Sequence, residues 1–107
     1  DPFDIVTSSL VFHQVPLAGK RDLLSMMRRA LKPAGRLVIA DYGLQRTALM
    51  RRLFRATVQT LDGVADTQPN ADGLLPELIH DAGFAGVEEA RVIPTATGSI
   101  SILIARY

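Results

Sequence analysis

Apolar residues are distributed along this chain in two patterns, short continuous runs of strand length and longer stretches at helical spacing. Ile5-Val6-Thr7, bounded by Pro2 and by Ser8-Ser9, forms a β-branched run that suits a buried strand of a parallel sheet. Over residues 17–31, Leu23, Leu24, Met27, Ala30 and Leu31 recur at helical spacing, while Lys20, Arg21, Ser25, Arg28 and Arg29 populate the other face. Pro33 disfavours helical geometry at Lys32, and Gly35 is placed to take the positive φ of the exit turn. Residues 36–42 follow, with the continuous run Leu37-Val38-Ile39-Ala40 ending in Asp41, which predicts a second buried strand. Strand, crossover helix and strand with short connections make a right-handed βαβ unit and hence parallel strands.

The second half changes period twice. Residues 45–61 predict a helix with Met50, Leu53, Phe54, Val58 and Leu61 on one face and Arg46, Arg51, Arg52 and Arg55 on the other. A stretch containing Gly63, Pro69, Asn70 and Gly73 predicts a loop, and residues 74–82 a short amphipathic helix stopped by Gly83. Residues 87–93 and 99–107 are strand-like. The connection between them is too short for a helix, so they should pair as an antiparallel hairpin. The predicted order is β-α-β-α-α-β-β in one α/β domain over residues 1–107.

Composition narrows the class of protein. At 107 residues, 48% hydrophobic and 21% charged, the chain has globular composition and the size of one domain. Lys and Arg number 12 against 11 Asp and Glu, so the net charge of +1 exerts no general pull towards nucleic acid or acidic membranes. There is no Cys, which excludes disulfides and thiolate metal ligation and makes a reducing cytoplasm the expected setting. No apolar run approaches the length of a membrane span, and Asp1-Pro2-Phe3-Asp4 is not a signal peptide; entering a strand without an initiator Met, this start reads as a cut.

Three motifs in order carry a family resemblance. Phe3-Asp4-Ile5-Val6, followed by Ser8-Ser9-Leu10-Val11-Phe12-His13, resembles the fourth strand and following loop of class I S-adenosylmethionine-dependent methyltransferases. Leu31-Lys32-Pro33-Ala34-Gly35-Arg36-Leu37 resembles the LKPGG turn entering their fifth strand, and Leu78-Ile79-His80-Asp81-Ala82-Gly83-Phe84 the AGF turn before their sixth. The resemblance implies the C-terminal half of a Rossmann-like fold, whose last strand enters antiparallel, with S-adenosylmethionine as cofactor and a small-molecule methyl acceptor. Ala34 in place of the usual Gly suggests that this turn residue need not adopt positive φ. The family's glycine-rich loop and the acidic residue ending its second strand have no counterpart here, so the chain alone is expected to be inactive.

In open α/β sheets ligands bind beyond the carboxyl ends of the strands. By resemblance, the backbone of Ser8, Ser9 and Leu10 would line the methionine end of the cofactor, and Asp41 and Tyr42 would face the same crevice. His13 is a candidate to orient an acceptor or take its proton, with a packed or capping histidine as the alternative. Asp41 is a candidate general base or, equally, a cap for the turn after its strand. Asp4, at the amino end of its strand, is expected to be structural. His80 has no second histidine at ligand spacing and reads as a surface residue, so no metal site is expected.

The arginines of residues 46–55 face solvent, or else attract an anionic acceptor or nucleic acid phosphates. Methyl transfer to a nucleophilic acceptor needs little acid or base help, so the lack of a conspicuous catalytic motif does not exclude the enzyme. The open flank of the first strand predicts self-association, or pairing with a preceding half. A second reading from another class is a noncatalytic, degenerate methyltransferase-like module that docks through that edge.

Overall fold

A computed structural model describes residues 3–107; Asp1 and Pro2, which carry part of the predicted cut, lie outside them. Four strands, β1 (Phe3–Ser9), β2 (Leu31–Tyr42), β3 (Ala85–Thr95) and β4 (Gly98–Arg106), form one sheet in the order β1-β2-β4-β3. β1 and β2 pair in parallel, whereas β4 runs antiparallel between β2 and β3. The hairpin and the inserted last strand are as the sequence predicts. Pro94, which has no N–H to donate, is tolerated because β3 is an edge strand.

Helix α1 (Leu17–Ala30) crosses from β1 to β2 and packs with α5 (Leu75–Asp81) over one face of the sheet. That face supplies Leu37 and Ile39 from β2 and Leu103 and Ala105 from β4. They meet Leu24, Leu75, Leu78, Ile79 and Phe84 in the main core. The strand period explains the division: Ser99, Ser101 and Leu103 share the covered face and are buried, while Ile100, Ile102 and Ile104 point the other way and are half-buried.

Several expectations are overturned. Residues 63–73, expected to be a loop, contain the helix α4 (Val64–Ala71), with Pro69 inside it. The helix expected from residue 45 begins instead as α2 (Ala48–Phe54), where Thr47 caps it by accepting from the Met50 amide at 3.0 Å. It continues through a π-helical turn, Arg55–Gln59, into the single turn α3 (Thr60–Asp62). The wider turn shifts the helical phase, and Leu61, expected on the apolar face, is 85% exposed. Lys20, expected on the polar face of α1, is buried: its ammonium donates to the Val15 and Asp66 carbonyls and thereby ties α1 to α4.

The turn into β2 differs as well. Ala34, not Gly35, takes the positive φ, at 72°. Gly35 is needed for space: a Cβ there would lie 2.8 Å from the Lys32 carbonyl oxygen and 3.1 Å from that of Asp4. The parallel register, Ile5 to Arg36 through Ser9 to Ala40, brings β1 this close to the turn. Chain proximity therefore selects glycine at 35, while the left-handed position falls one residue earlier on an alanine.

Candidate active site

The carboxyl ends of β1 and β2 lie side by side, and both feed polar side chains into one place. After Ser9 the chain turns at Leu10, a non-glycine residue held at φ 57°, and the Leu10 amide donates to the Ala40 carbonyl at 2.8 Å. Such left-handed geometry at a leucine is held against its own preference by the surrounding structure. The turn delivers a short 3-10 helix, Phe12–Gln14, directly beneath Asp41.

Asp41 is 1% exposed and accepts three hydrogen bonds. The Phe12 amide donates to Oδ2 at 2.6 Å; the Tyr42 amide and His13 Nδ1 each donate to Oδ1 at 2.8 Å. The cap weighed as one alternative for Asp41 is present, and the same carboxylate also holds the imidazole of His13. His13 is 5% exposed and combines packing with polar contact: its ring meets Tyr42 edge-on at 4.9 Å, and its Nε2 faces Asp62 Oδ2 at 3.2 Å. The result is a linear array, Asp41, His13, Asp62, assembled from β2, the post-β1 turn and α3.

Asp62 was missed by sequence reading. It sits where a plain α-helical phase offers no reason to single it out, and the π turn before it alters that phase. Lys20 lies behind the array. Burial pushes its ammonium below the ordinary value of 10.5, opposed by the negative charges of Asp66 and Asp41. Gln45 braces the post-β2 loop: its amide donates to the Gly43 and Ser99 carbonyls at 2.8 and 3.0 Å and accepts from the Ser99 amide at 2.9 Å.

Of the other candidates, Ser8 turns its hydroxyl into the protein, where Oγ is buried and has no hydrogen-bond partner. Ser9 and Leu10 are exposed at the end of β1. His80 is exposed beside Asp81, at 3.8 Å. Asp4 faces Lys32 at 3.4 Å near the amino end of β1, away from the array. An apolar cavity of about 230 Å³, lined by Leu44, Leu75, Pro76, Val87 and Leu103, touches Asp41 and Tyr42 but not His13.

Residues 1–39 match the profile of a family described as Methyltransferase domain. Among solved structures, an O-methyltransferase family protein from Burkholderia thailandensis superposes with a TM-score of 0.70 at 17% identity, over 98% of this chain and 30% of that one. Human N-acetylserotonin methyltransferase, solved in complex with SAM, gives 0.64 at 18%, over 99% and 30%. LaPhzM gives 0.65 at 28%, over 96% and 30%. This is a class I methyltransferase fold. No curated protein sequence matches the chain significantly.

The chain spans about a third of the length of these methyltransferase structures. Within the methyltransferase fold, the antiparallel β4 stands as the resemblance implies. No helix among the described residues is long and apolar enough to cross a membrane.

Proposed function

We infer that this chain forms the acceptor side of an S-adenosylmethionine-dependent methyltransferase acting on a hydroxyl of a small molecule, with His13 as general base. The observation that carries this reading is the Asp41, His13, Asp62 array beyond the carboxyl ends of two parallel strands. Asp41 accepts from Nδ1 and orients the ring, so that Nε2 is the nitrogen that would meet the acceptor hydroxyl once Asp62 withdraws. Asp62, on the single-turn α3, lies over Nε2 and must move aside for the acceptor hydroxyl.

The residues present fit one part of a cofactor site. The strained Leu10 turn exposes backbone at the strand end, and Ser8 Oγ is a buried polar atom without a partner beside it. Ser8, Ser9 and Leu10 are accordingly assigned to the methionine end of S-adenosylmethionine. When bound, that cofactor supplies an electrophilic methyl group on a sulfonium. His13 Nε2 would take the proton of the acceptor hydroxyl and so leave its oxygen free to accept that methyl group. The buried surroundings of His13 and Asp41 exclude water from this transfer.

In the protein at its natural length, His13→Gln should lower kcat by about a hundredfold or more while leaving the dissociation constant of S-adenosylhomocysteine essentially unchanged. Unchanged turnover would remove His13 from the chemistry. The second reading, docking or self-association through β1, draws support from the open edge of that strand, where Phe3 and Ile5 are 57% and 58% exposed. Sedimentation of the isolated chain at rising concentration tests it: association supports edge pairing, and a monodisperse monomer removes it.

A further inference from the structure

The arginines of α2 and its π-helical extension are not spread evenly over a solvated face. Arg46 pairs with Glu89. Arg51 and Arg55, one helical turn apart, line a small cavity of about 110 Å³ between α2 and α4, together with Phe54, Gln59, Gln68 and Ala71. Among the described residues neither arginine has a carboxylate within ion-pair distance. The wall opposite is polar and fixed. Gln59, 5% exposed, donates through Nε2 to Gln68 Oε1 at 2.8 Å, and Gln68 donates in turn to Asp72 at 2.7 Å. Asp72 itself does not line the cavity.

The backbone is arranged around the same spot. The π turn begins at Arg55 and ends at Gln59, and turns of this kind inside α-helices occur frequently at functional sites. Thr60 Oγ1 donates to the Arg55 carbonyl at 2.8 Å and Thr57 Oγ1 to the Leu53 carbonyl at 2.6 Å, holding the turn from both sides. Phe54, fully buried beneath the cavity, packs on Tyr42 with ring centroids 5.0 Å apart; Tyr42 in turn contacts His13. These two ring contacts link this cavity to the imidazole.

We propose that the cavity between α2 and α4 is an anion subsite that takes the carboxylate of a small molecule, with Arg51 and Arg55 as its cationic ligands. Guanidinium groups match carboxylate geometry with paired N–H donors. Arg51 already spends one N–H on the Gln45 carbonyl at 3.3 Å, which orients it and leaves its other donors free. The proposal rests on the methyltransferase reading only in identifying this molecule as the methyl acceptor; the subsite itself does not.

Benzoate titrated into the natural-length protein, followed by the Nε–Hε resonances of labelled arginine, tests the subsite without turnover. Saturable shifts of Arg51 and Arg55, absent with the neutral isostere benzamide, are expected. R51Q and R55Q should each weaken benzoate about tenfold, whereas R52Q, next to the cavity but outside its lining, should not. No saturable shift, equal response to benzamide, or benzoate affinity untouched by both variants overturns the proposal. Displacement of benzoate by equimolar inorganic phosphate overturns the carboxylate assignment. S-adenosylhomocysteine affinity, measured alongside, reports separately on the methyltransferase reading.

Discussion

Replacing Asp41 by Asn keeps shape and removes one acceptor. Asp41 Oδ1 accepts from His13 Nδ1 and the Tyr42 amide, and Oδ2 from the Phe12 amide, all within a site that excludes water. An asparagine has one carbonyl oxygen. If it stays at the Oδ1 position, its NH2 faces the Phe12 N–H, and a buried donor meets a donor; the flipped amide leaves two donors without acceptors instead. The first arrangement is the less costly. It loses one charge-assisted hydrogen bond and leaves the Phe12 N–H unsatisfied, which together cost about 2–4 kcal/mol by the usual values for such groups. That is a large share of the roughly 5–15 kcal/mol by which domains are stable. Urea unfolding of the natural-length protein, with an unchanged denaturant slope, should show the loss as a lower midpoint. A loss under about 0.5 kcal/mol would mean that Asp41 is not the shared acceptor described, because such values belong to exposed substitutions.

Other substitutions probe the turn, the buried lysine and the third member of the array. Ala34→Gly relieves a left-handed alanine and should raise stability by about 0.5–1 kcal/mol after the entropy of the unfolded chain is counted, whereas Gly35→Ala should lower it by about 1–3 kcal/mol; thermal melting separates the two. Lys20 has its folded pKa depressed, so the unfolded chain binds the proton more tightly, and the stabilising contribution is full above 10.5 and lost as pH falls through the lowered folded value. Stability of the native protein should therefore rise relative to Lys20→Met as pH approaches 10.5 from below, and a flat difference across that window would contradict it. Asp62→Ala should retain turnover within about threefold, since Asp62 must move off Nε2 during the reaction, while loss as large as that of His13→Gln would make it a participant.

The sequence made the sheet legible because its strands are short apolar runs with sharp ends and its crossover helix has a clear stripe. It also singled out Asp41 and His13, each by position after a strand, and the structure brings the two side chains into contact. What escaped it has physical causes. α4 carries Pro69 and follows Gly63, both local signals for a loop, yet its carboxyl end is fastened by tertiary contacts, Asn70 Nδ2 donating to the Tyr42 carbonyl at 2.7 Å and the Gln45 backbone amide to the Ala71 carbonyl at 3.0 Å. Lys20 was assigned to solvent by its charge, but two carbonyls 46 and 5 residues away, at Asp66 and Val15, create a buried seat that no local pattern announces. Asp62 and the exposure of Leu61 both follow from a π turn, whose presence depends on packing against α4 rather than on the residues of the turn alone.

The central claim is that a methyl donor and its acceptor meet beyond the ends of β1 and β2, at the Leu10 turn and His13. Amide resonances of the natural-length protein, followed during titration with S-adenosylhomocysteine, test it most directly. The account predicts saturable shifts at Ser8, Ser9, Leu10 and Asp41, with His13 responding and Ala85 and Arg106, at the opposite end of the sheet, unmoved. Absence of binding, or saturable binding that leaves Ser8 through Leu10 unperturbed, would contradict it.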